Sequence, residues 1–224
     1  MELSVRELDG LAEWTAAARL YRTVFGYEEP EYGVSPRLLA ALRENSGSVI
    51  GALGPSGEVV GFCYGFSAVD GGELYHYSQA AVVAPEAQSL GVGRLLKQAQ
   101  AEVARGTGAR TMRWTFDPYA LRNAHFNLAV LGATGVRFMP GYYGGDTDRI
   151  LVSWDLWHAR KSGVPGPPVQ APADPRFAAP SLSDRARLRA SLQERFASGG
   201  RLVGVARVPG AVDRVVYTFE NAEL

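Results

Sequence analysis

One cysteine, three histidines and no net charge set the first limits on this chain of 224 residues. A single thiol forms no intramolecular disulfide and builds no cysteine metal site, and no metal is expected. Cys63 lies in the apolar run VVGFCYGF, the setting of a buried, inert thiol rather than of a nucleophile. The 23 basic side chains are matched by 23 acidic ones, so no overall field draws nucleic acid or an anionic membrane, and neither is expected as a partner. No apolar run approaches the roughly 20 residues that span a bilayer. The start, MELSVRELDG, lacks the charged-then-apolar pattern of a secretory leader, which makes a cytoplasmic location the expectation. Internal repeats are missing too.

What is present is ordinary globular material. Hydrophobic residues make up 46% and charged residues 21%, and the length allows a substantial core. Periodicity predicts a strand at 3–8, a helix at 12–25 stopped by Gly26, and a second helix opened by Ser35-Pro36. Strands at 48–53, 58–68 and 73–84 follow, joined into an antiparallel meander by PSG and DGG turns. A helix at 91–105 turns Val92, Leu95, Leu96, Ala99 and Val103 inward. Then come a strand at 110–116 and a helix with Asp117-Pro118 as cap and first turn, its buried stripe Leu121, Ala124, Leu128 and Leu131. Strands at 136–143 and 149–157 complete the body.

The stretch 162–180 is dense in proline and alanine and reads as an extended linker. Beyond it a helix, with Leu188, Leu192 and Phe196 inward, leads to a closing hairpin. The expected class is α+β, with a mixed, mostly antiparallel central sheet flanked by helices over 1–161. The linker at 162–180 and a C-terminal helix–hairpin extension at 181–224 follow.

The stretch QSLGVGR, at 88–94, carries the chemistry. Two glycines one residue apart just before a helix let a ligand approach the backbone, and the helix terminus favours a phosphate. A Walker loop needs lysine and Ser/Thr after its last glycine, but Arg94-Leu95 stand there. A dinucleotide fingerprint needs a third glycine and a ribose-binding acid, and both are missing. What remains is Gln-x-x-Gly-x-Gly between an antiparallel strand and a helix.

Val83-Ala84-Pro85-Glu86 followed by Gln88-Ser89-Leu90-Gly91-Val92-Gly93 resembles the coenzyme A signature of the GNAT (GCN5-related N-acetyltransferase) superfamily. The element order over 1–157 is similar to that family's fold. WTFDP at 114–118 and NAHFN at 123–127 look most like a bacterial subgroup carrying WTFDP and NAxFN. The resemblance implies acetyl-coenzyme A as co-substrate. Its implied contacts are Ala81, Val82 and Val83 on the strand, where a bulge commonly aims a backbone N–H at the thioester oxygen. In the turn they are Gln88, Ser89, Leu90, Gly91, Val92, Gly93 and Arg94, and on the later helix Asn123, Phe126 and Asn127. Asn123 and Asn127, four residues apart, are expected to share one helix face.

Many members of the family carry a tyrosine four residues before the glycine that ends this helix, as acid for the departing thiolate. Counting back from Gly132 reaches Leu128, so that acid is absent. Tyr119, Tyr142 or Tyr143 can substitute, and a thiol of pKa about 8.5 leaves with little help. The attacking amine needs a base or a water chain. On the 73–84 strand the odd-numbered residues share one face, and His76 points to the other with Leu74 and Ser78. Glu73 and His76 as base and Tyr143 as acid are the nominated catalytic residues. A core role for His76 stands beside that.

The loop GYEEPEYGVS usually shapes the acceptor site in this superfamily. Its Tyr27, Glu28, Glu29 and Tyr32 would suit a cationic amine, against the plainer reading of a solvated charge cluster. Arg185, Arg187, Arg189 and Arg195 read as a solvated helix face. The expected activity is acetyl-coenzyme A-dependent N-acyl transfer to a small-molecule or peptide amine by direct attack in a ternary complex. The rival is a module that binds coenzyme A without turnover. A homodimer paired through an exposed edge of the C-terminal hairpin completes the expectations.

Overall fold

In a computed structural model, residues 3–145, 147–173, 180–211 and 213–221 are described. The chain forms two compact units, Met1–Met112 and Arg113–Leu224. The class expected, α+β with a mostly antiparallel sheet, helices against it and a C-terminal helix and hairpin, is the class found.

The first unit holds β1 (Ser4–Glu7), α1 (Gly10–Phe25), α2 (Pro36–Glu44), β2 (Ser48–Leu53), β3 (Val59–Asp70), β4 (Glu73–Val83) and α3 (Val92–Gly106). Its strands pair antiparallel in chain order. Gly26 stops α1 with φ 66°, where a side chain would be strained. Ser35 Oγ accepts from Arg37 N at 3.2 Å and Pro36 opens α2. Every residue of β2 is buried, because both faces of this sheet are covered. Ala17, Ala18 and Leu39 pack on Val49, Phe62, Tyr64 and Val82 on one face. Val92 and Leu96 pack on Ile50, Ala52 and Cys63 on the other. Burying a side chain such as Phe62 or Leu96 contributes about 1.5–3 kcal/mol.

The pairing of β4 with β3 is irregular at one point. Tyr64 pairs with Ala80 but Gly65 pairs with Ser78, so Gln79 is an extra residue, a bulge. The bulge reverses the alternation of faces. Before it, the even-numbered His76 and Ser78 lie on the α3 side with Gln100; after it, the even-numbered Val82 lies on the α1 and α2 side. Gln79 and Ala81 are left exposed in mid-strand.

The inward stripe of α3 differs from the expected one. Leu95 is exposed, while Lys97, Gln100, Ala101 and Ala104 are buried with Val92 and Leu96. The helix is rotated because Lys97 and Gln100 find hydrogen-bond partners on the sheet, which an apolar pattern does not register.

β5 (Thr111–Phe116) spans the division between the units. The second unit continues with α4 (Leu121–His125), β6 (Thr134–Met139) and β7 (Arg149–Asp155). It ends with β8 (Val164–Pro165), β9 (Val169–Pro172), α5 (Leu182–Ala197), β10 (Gly200–Arg207) and β11 (Arg214–Asn221). Asp117-Pro118 does not begin the helix: Asp117 Oδ1 accepts from Tyr119 N at 2.8 Å, an Asx turn, and α4 starts at Leu121. It runs on as a π turn at Phe126–Val130. Between β8 and β9 and the hairpin the pairing is antiparallel, both on β11, so part of 162–173 is strand. Residues 174–179 of that proline-rich segment lie outside the described residues.

Both strands of the hairpin have neighbours besides each other. β10 pairs with β6 at Leu202 and Gly135, and β11 is covered by β8 and β9. Among the described residues, no helix is long and apolar enough to cross a membrane.

Candidate active site

The turn at 88–94 follows a short 3-10 turn at Pro85–Ala87. Ser89 has φ 64°, costly for a residue with a Cβ. Gly91, φ 80°, is the N-cap of α3, and no side chain caps that end. Its open N–H donors and the helix dipole make a cradle for phosphate oxygens. A Cβ placed on Gly91 meets nothing within 4 Å, so the glycine is required by its backbone angle, and the space beside it is free for a ligand. Gln88, Ser89, Leu90, Gly91 and Arg94 are exposed, Gly93 is half-buried and Val92 is core. Gln88 Nε2 donates to Val83 O at 3.2 Å, tying the turn to the end of β4. Along β4, Ala81 is exposed, Val83 half-buried and Val82 buried, so the contacts that these residues offer are those of the backbone.

The two bases nominated on β4 separate. Glu73 is exposed at the end of the β3–β4 hairpin, opposite Asp70. His76 is 0% exposed, with Nε2 2.8 Å from Ser48 Oγ. Burial and the charge of Lys97 lower its pKa to about 4. His76 is therefore a core residue on the α3 face, and the base role is corrected. Cys63 is buried, and burial pushes its thiol up to about 12.

The loop after Gly26, nominated for the acceptor, is held in place by α1. Arg22 donates to Glu28 O at 2.7 Å and to Tyr27 O at 3.4 Å. Tyr27 stacks on Phe25 at 5.4 Å and lies 5.8 Å from both Tyr21 and Tyr32. Phe25, 45% exposed, and Tyr32 face solvent. Glu28, Glu29 and Glu31 are exposed on the same loop. A groove of about 890 Å³ runs along α1 and this loop, lined by Arg19, Arg22, Tyr27, Glu28 and Glu31 among others.

In the second unit Asn123 and Asn127 do not share a face. Asn123 is exposed, whereas Asn127 is buried and its Oδ1 accepts from Trp114 Nε1 at 3.0 Å. The π turn, not a regular α-turn, carries Asn127 inward, and Phe126 is half-buried between them. Leu128 is core. Tyr143 is 60% exposed in a glycine-rich loop, with the Arg149 guanidinium 5.2 Å from its ring centroid.

Tyr119 is not available as an acid. Its hydroxyl donates toward Asp148 Oδ2 at 2.7 Å, and burial with that carboxylate pushes it up to about 12. Burial opposes the Asp148 anion, yet Arg189, Tyr119 and Gly141 together hold its carboxyl below the ordinary value. Arg189 reaches Asp148 with two bonds of 2.8 Å, and Arg185 lies 4.5 Å over the Tyr119 ring. Tyr217 Oη donates to Pro118 O at 2.5 Å. Arg185 and Arg189 are thus engaged by Tyr119 and Asp148 and are not a solvated face; Arg187 remains exposed beside Asp184. Asp148 and this cluster went unread in the sequence, because the partners are 29 and 41 residues apart.

The acetyltransferase (GNAT) family pattern matches residues 14–132. Among solved structures, the NatC complex bound to Gag peptide and CoA aligns with TM-score 0.58 and 13% identity, over 69% of this chain and 99% of that one. Ard1 from Thermoplasma volcanium aligns with TM-score 0.56 and 17% identity, over 70% and 99%. An aminoglycoside 6'-N-acetyltransferase complexed with coenzyme A aligns with TM-score 0.55 and 15% identity, over 70% and 99%. At such identities the likeness is one of fold. No curated protein matches the chain.

Proposed function

The chain belongs to the acetyltransferase (GNAT) family, and from that premise we propose that it moves an acetyl group from acetyl-coenzyme A to an amine by direct attack within a ternary complex. The observation that carries this reading is the exposed, uncapped turn at Gly91 directly after a bulged strand. Acetyl-coenzyme A brings the acyl group already activated as a thioester. The chain has to bind, orient and polarise it.

In this reading the N–H groups at the start of α3 take the pyrophosphate, with exposed Arg94 beside them. The β4 backbone at 79–81 lines up the pantetheine arm and donates to the thioester oxygen as negative charge develops there. Asn123, exposed at the start of the later helix, supplies an amide to the coenzyme, and buried Asn127 acts by fixing Trp114. The acceptor is a cationic amine with an apolar body. Tyr27, Tyr32 and Phe25 offer ring faces, and Glu28 and Glu29 offer the opposing charge. Glu73 opens β4 and stands roughly 20 Å from the 79–81 backbone at the rise of a strand, so a water chain takes the amine proton, and Tyr142 or Tyr143 is left to protonate the leaving thiolate.

One observation favours a second reading, binding without turnover. Leu128 has no proton to give, and the Tyr119 hydroxyl is occupied by Asp148. A thiol-release assay with acetyl-coenzyme A and a panel of polyamines, aminoglycosides, amino acids and short peptides separates the two. Thiol release matched by an acetylated product supports transfer. Bound acetyl-coenzyme A with no thiol released by any amine sinks transfer and leaves the second reading.

A further inference from the structure

β4 is tied from within by a line of buried hydrogen bonds that starts at a cation. Lys97 stands one turn past Gly93 on α3 and is 3% exposed. Its Nζ donates to Ser78 Oγ at 2.7 Å. An ammonium accepts nothing, so the direction of the remaining bonds is fixed. Ser78 Oγ donates to Gln100 Oε1 at 2.7 Å, and Gln100 Nε2 donates to Ser48 Oγ at 2.9 Å. The Ser48 proton is left for His76 Nε2, 2.8 Å away. Neutral His76 then carries its own proton on Nδ1, which is buried and has no hydrogen-bond partner among the described residues. Gly65 makes room for this line: a Cβ there would meet His76 Nε2 at 2.6 Å and Gln100 Nε2 at 3.1 Å.

The place of the line in the strand is informative. Ser78 immediately precedes the bulge residue Gln79, where the regular ladder is broken and backbone pairing alone holds the chain poorly. Burying an ammonium is also expensive. Burial lowers Lys97 to about 8 even though Cys63, facing it, pulls the other way. An apolar chain of similar length would fill the position at less cost, so stability alone does not account for a lysine here.

We propose that Lys97 is a positioning residue of the transfer site, holding Ser78 and through it the β4 bulge in the geometry that presents the 79–81 backbone to the acyl donor. The proposal rests on the transferase reading of the Gly91 turn.

The test uses the full chain with Lys97→Met and Lys97→Gln. Three quantities are measured: thermal midpoint, amide hydrogen exchange across 78–83 without ligand, and acetyl-coenzyme A affinity by calorimetry. Lys97→Met is expected to melt no lower than wild type. Its 78–81 amides should exchange about tenfold faster and its affinity should fall about tenfold, the scale of one buried hydrogen bond. Lys97→Gln, which keeps a donor but no charge, restores both to within about threefold of wild type on the same scale. Unchanged exchange and affinity in Lys97→Met overturn the proposal, as does a Gln variant no better than Met. If wild type fails to bind acetyl-coenzyme A the transferase reading falls, while the ligand-free exchange still reports whether Lys97 holds the bulge.

Discussion

Acid titration of stability measures how completely the core has enclosed His76. The imidazole is 0% exposed, bonded to Ser48, with its second nitrogen unpartnered among the described residues and Lys97 nearby. Burial first, and the Lys97 charge second, place its folded pKa near about 4, against about 6.5 in an unfolded chain. Between these values the unfolded chain binds the proton and the folded one does not. Stability therefore falls as pH drops through 6.5, and the loss is complete near pH 4. The difference corresponds to ~3 kcal/mol. Urea denaturation at intervals from pH 7 to 4 should show that loss in wild type. In His76→Gln, whose amide oxygen can still accept from Ser48, the His76 contribution should vanish. Glu13, Asp148 and Asp155 also have lowered pKa values, but they are present in both proteins and cancel in the comparison. Parallel curves for the two proteins would refute the reasoning, since His76 would then be reached by water.

Other consequences are as direct. Lys97 has a folded pKa of about 8, below the unfolded value of about 10.4, so wild type should gain ~3 kcal/mol relative to Lys97→Met between pH 8 and 10.5; the raised Cys63 and Tyr119 are common to both proteins and cancel in that difference. Denaturation across that range decides. Asp148→Asn leaves Arg189 without its paired, charge-assisted hydrogen bonds and should cost ~2–3 kcal/mol, read as a lower urea midpoint with unchanged slope. Cys63 should not react with an aromatic disulfide reagent until the chain unfolds, because its thiol is buried and raised to about 12. Rapid labelling of the native protein would contradict that.

Local pattern carried much of this molecule. Alternation along 73–84 already turned His76 and Ser78 away from Glu73, Tyr75 and Tyr77, and the Gln88 to Gly93 spacing located the cradle at the start of α3. Less was legible where a residue's partner is far along the chain. The bulge at Gln79 shows only in pairing with β3, after which Val82 faces α1 instead of α3. Lys97 reads as a surface residue until Ser78 is placed against it, 19 residues away in sequence. The Asn123–Asn127 spacing suggested one shared face because a regular helix was assumed, and the π turn at Phe126–Val130 breaks that assumption. Arg185 and Arg189 looked solvated because nothing local announces Tyr119 or Asp148. A lysine between Leu96 and Ala101 on an otherwise apolar face, with Gln100 three residues on, is the signal from which the buried line could have been suspected.

Calorimetric titration of acetyl-coenzyme A into wild type and Leu90→Glu bears most directly on the central claim. Leu90 is 56% exposed in the turn, so the substitution adds a carboxylate beside the proposed pyrophosphate cradle without disturbing the core. Like charges brought together this way weaken binding by about tenfold or more. Saturable binding by wild type, weakened in the variant at unchanged thermal midpoint, is the predicted result. Equal affinity in both would move the coenzyme away from the Gly91 turn, and no binding by folded wild type would contradict the account at its root.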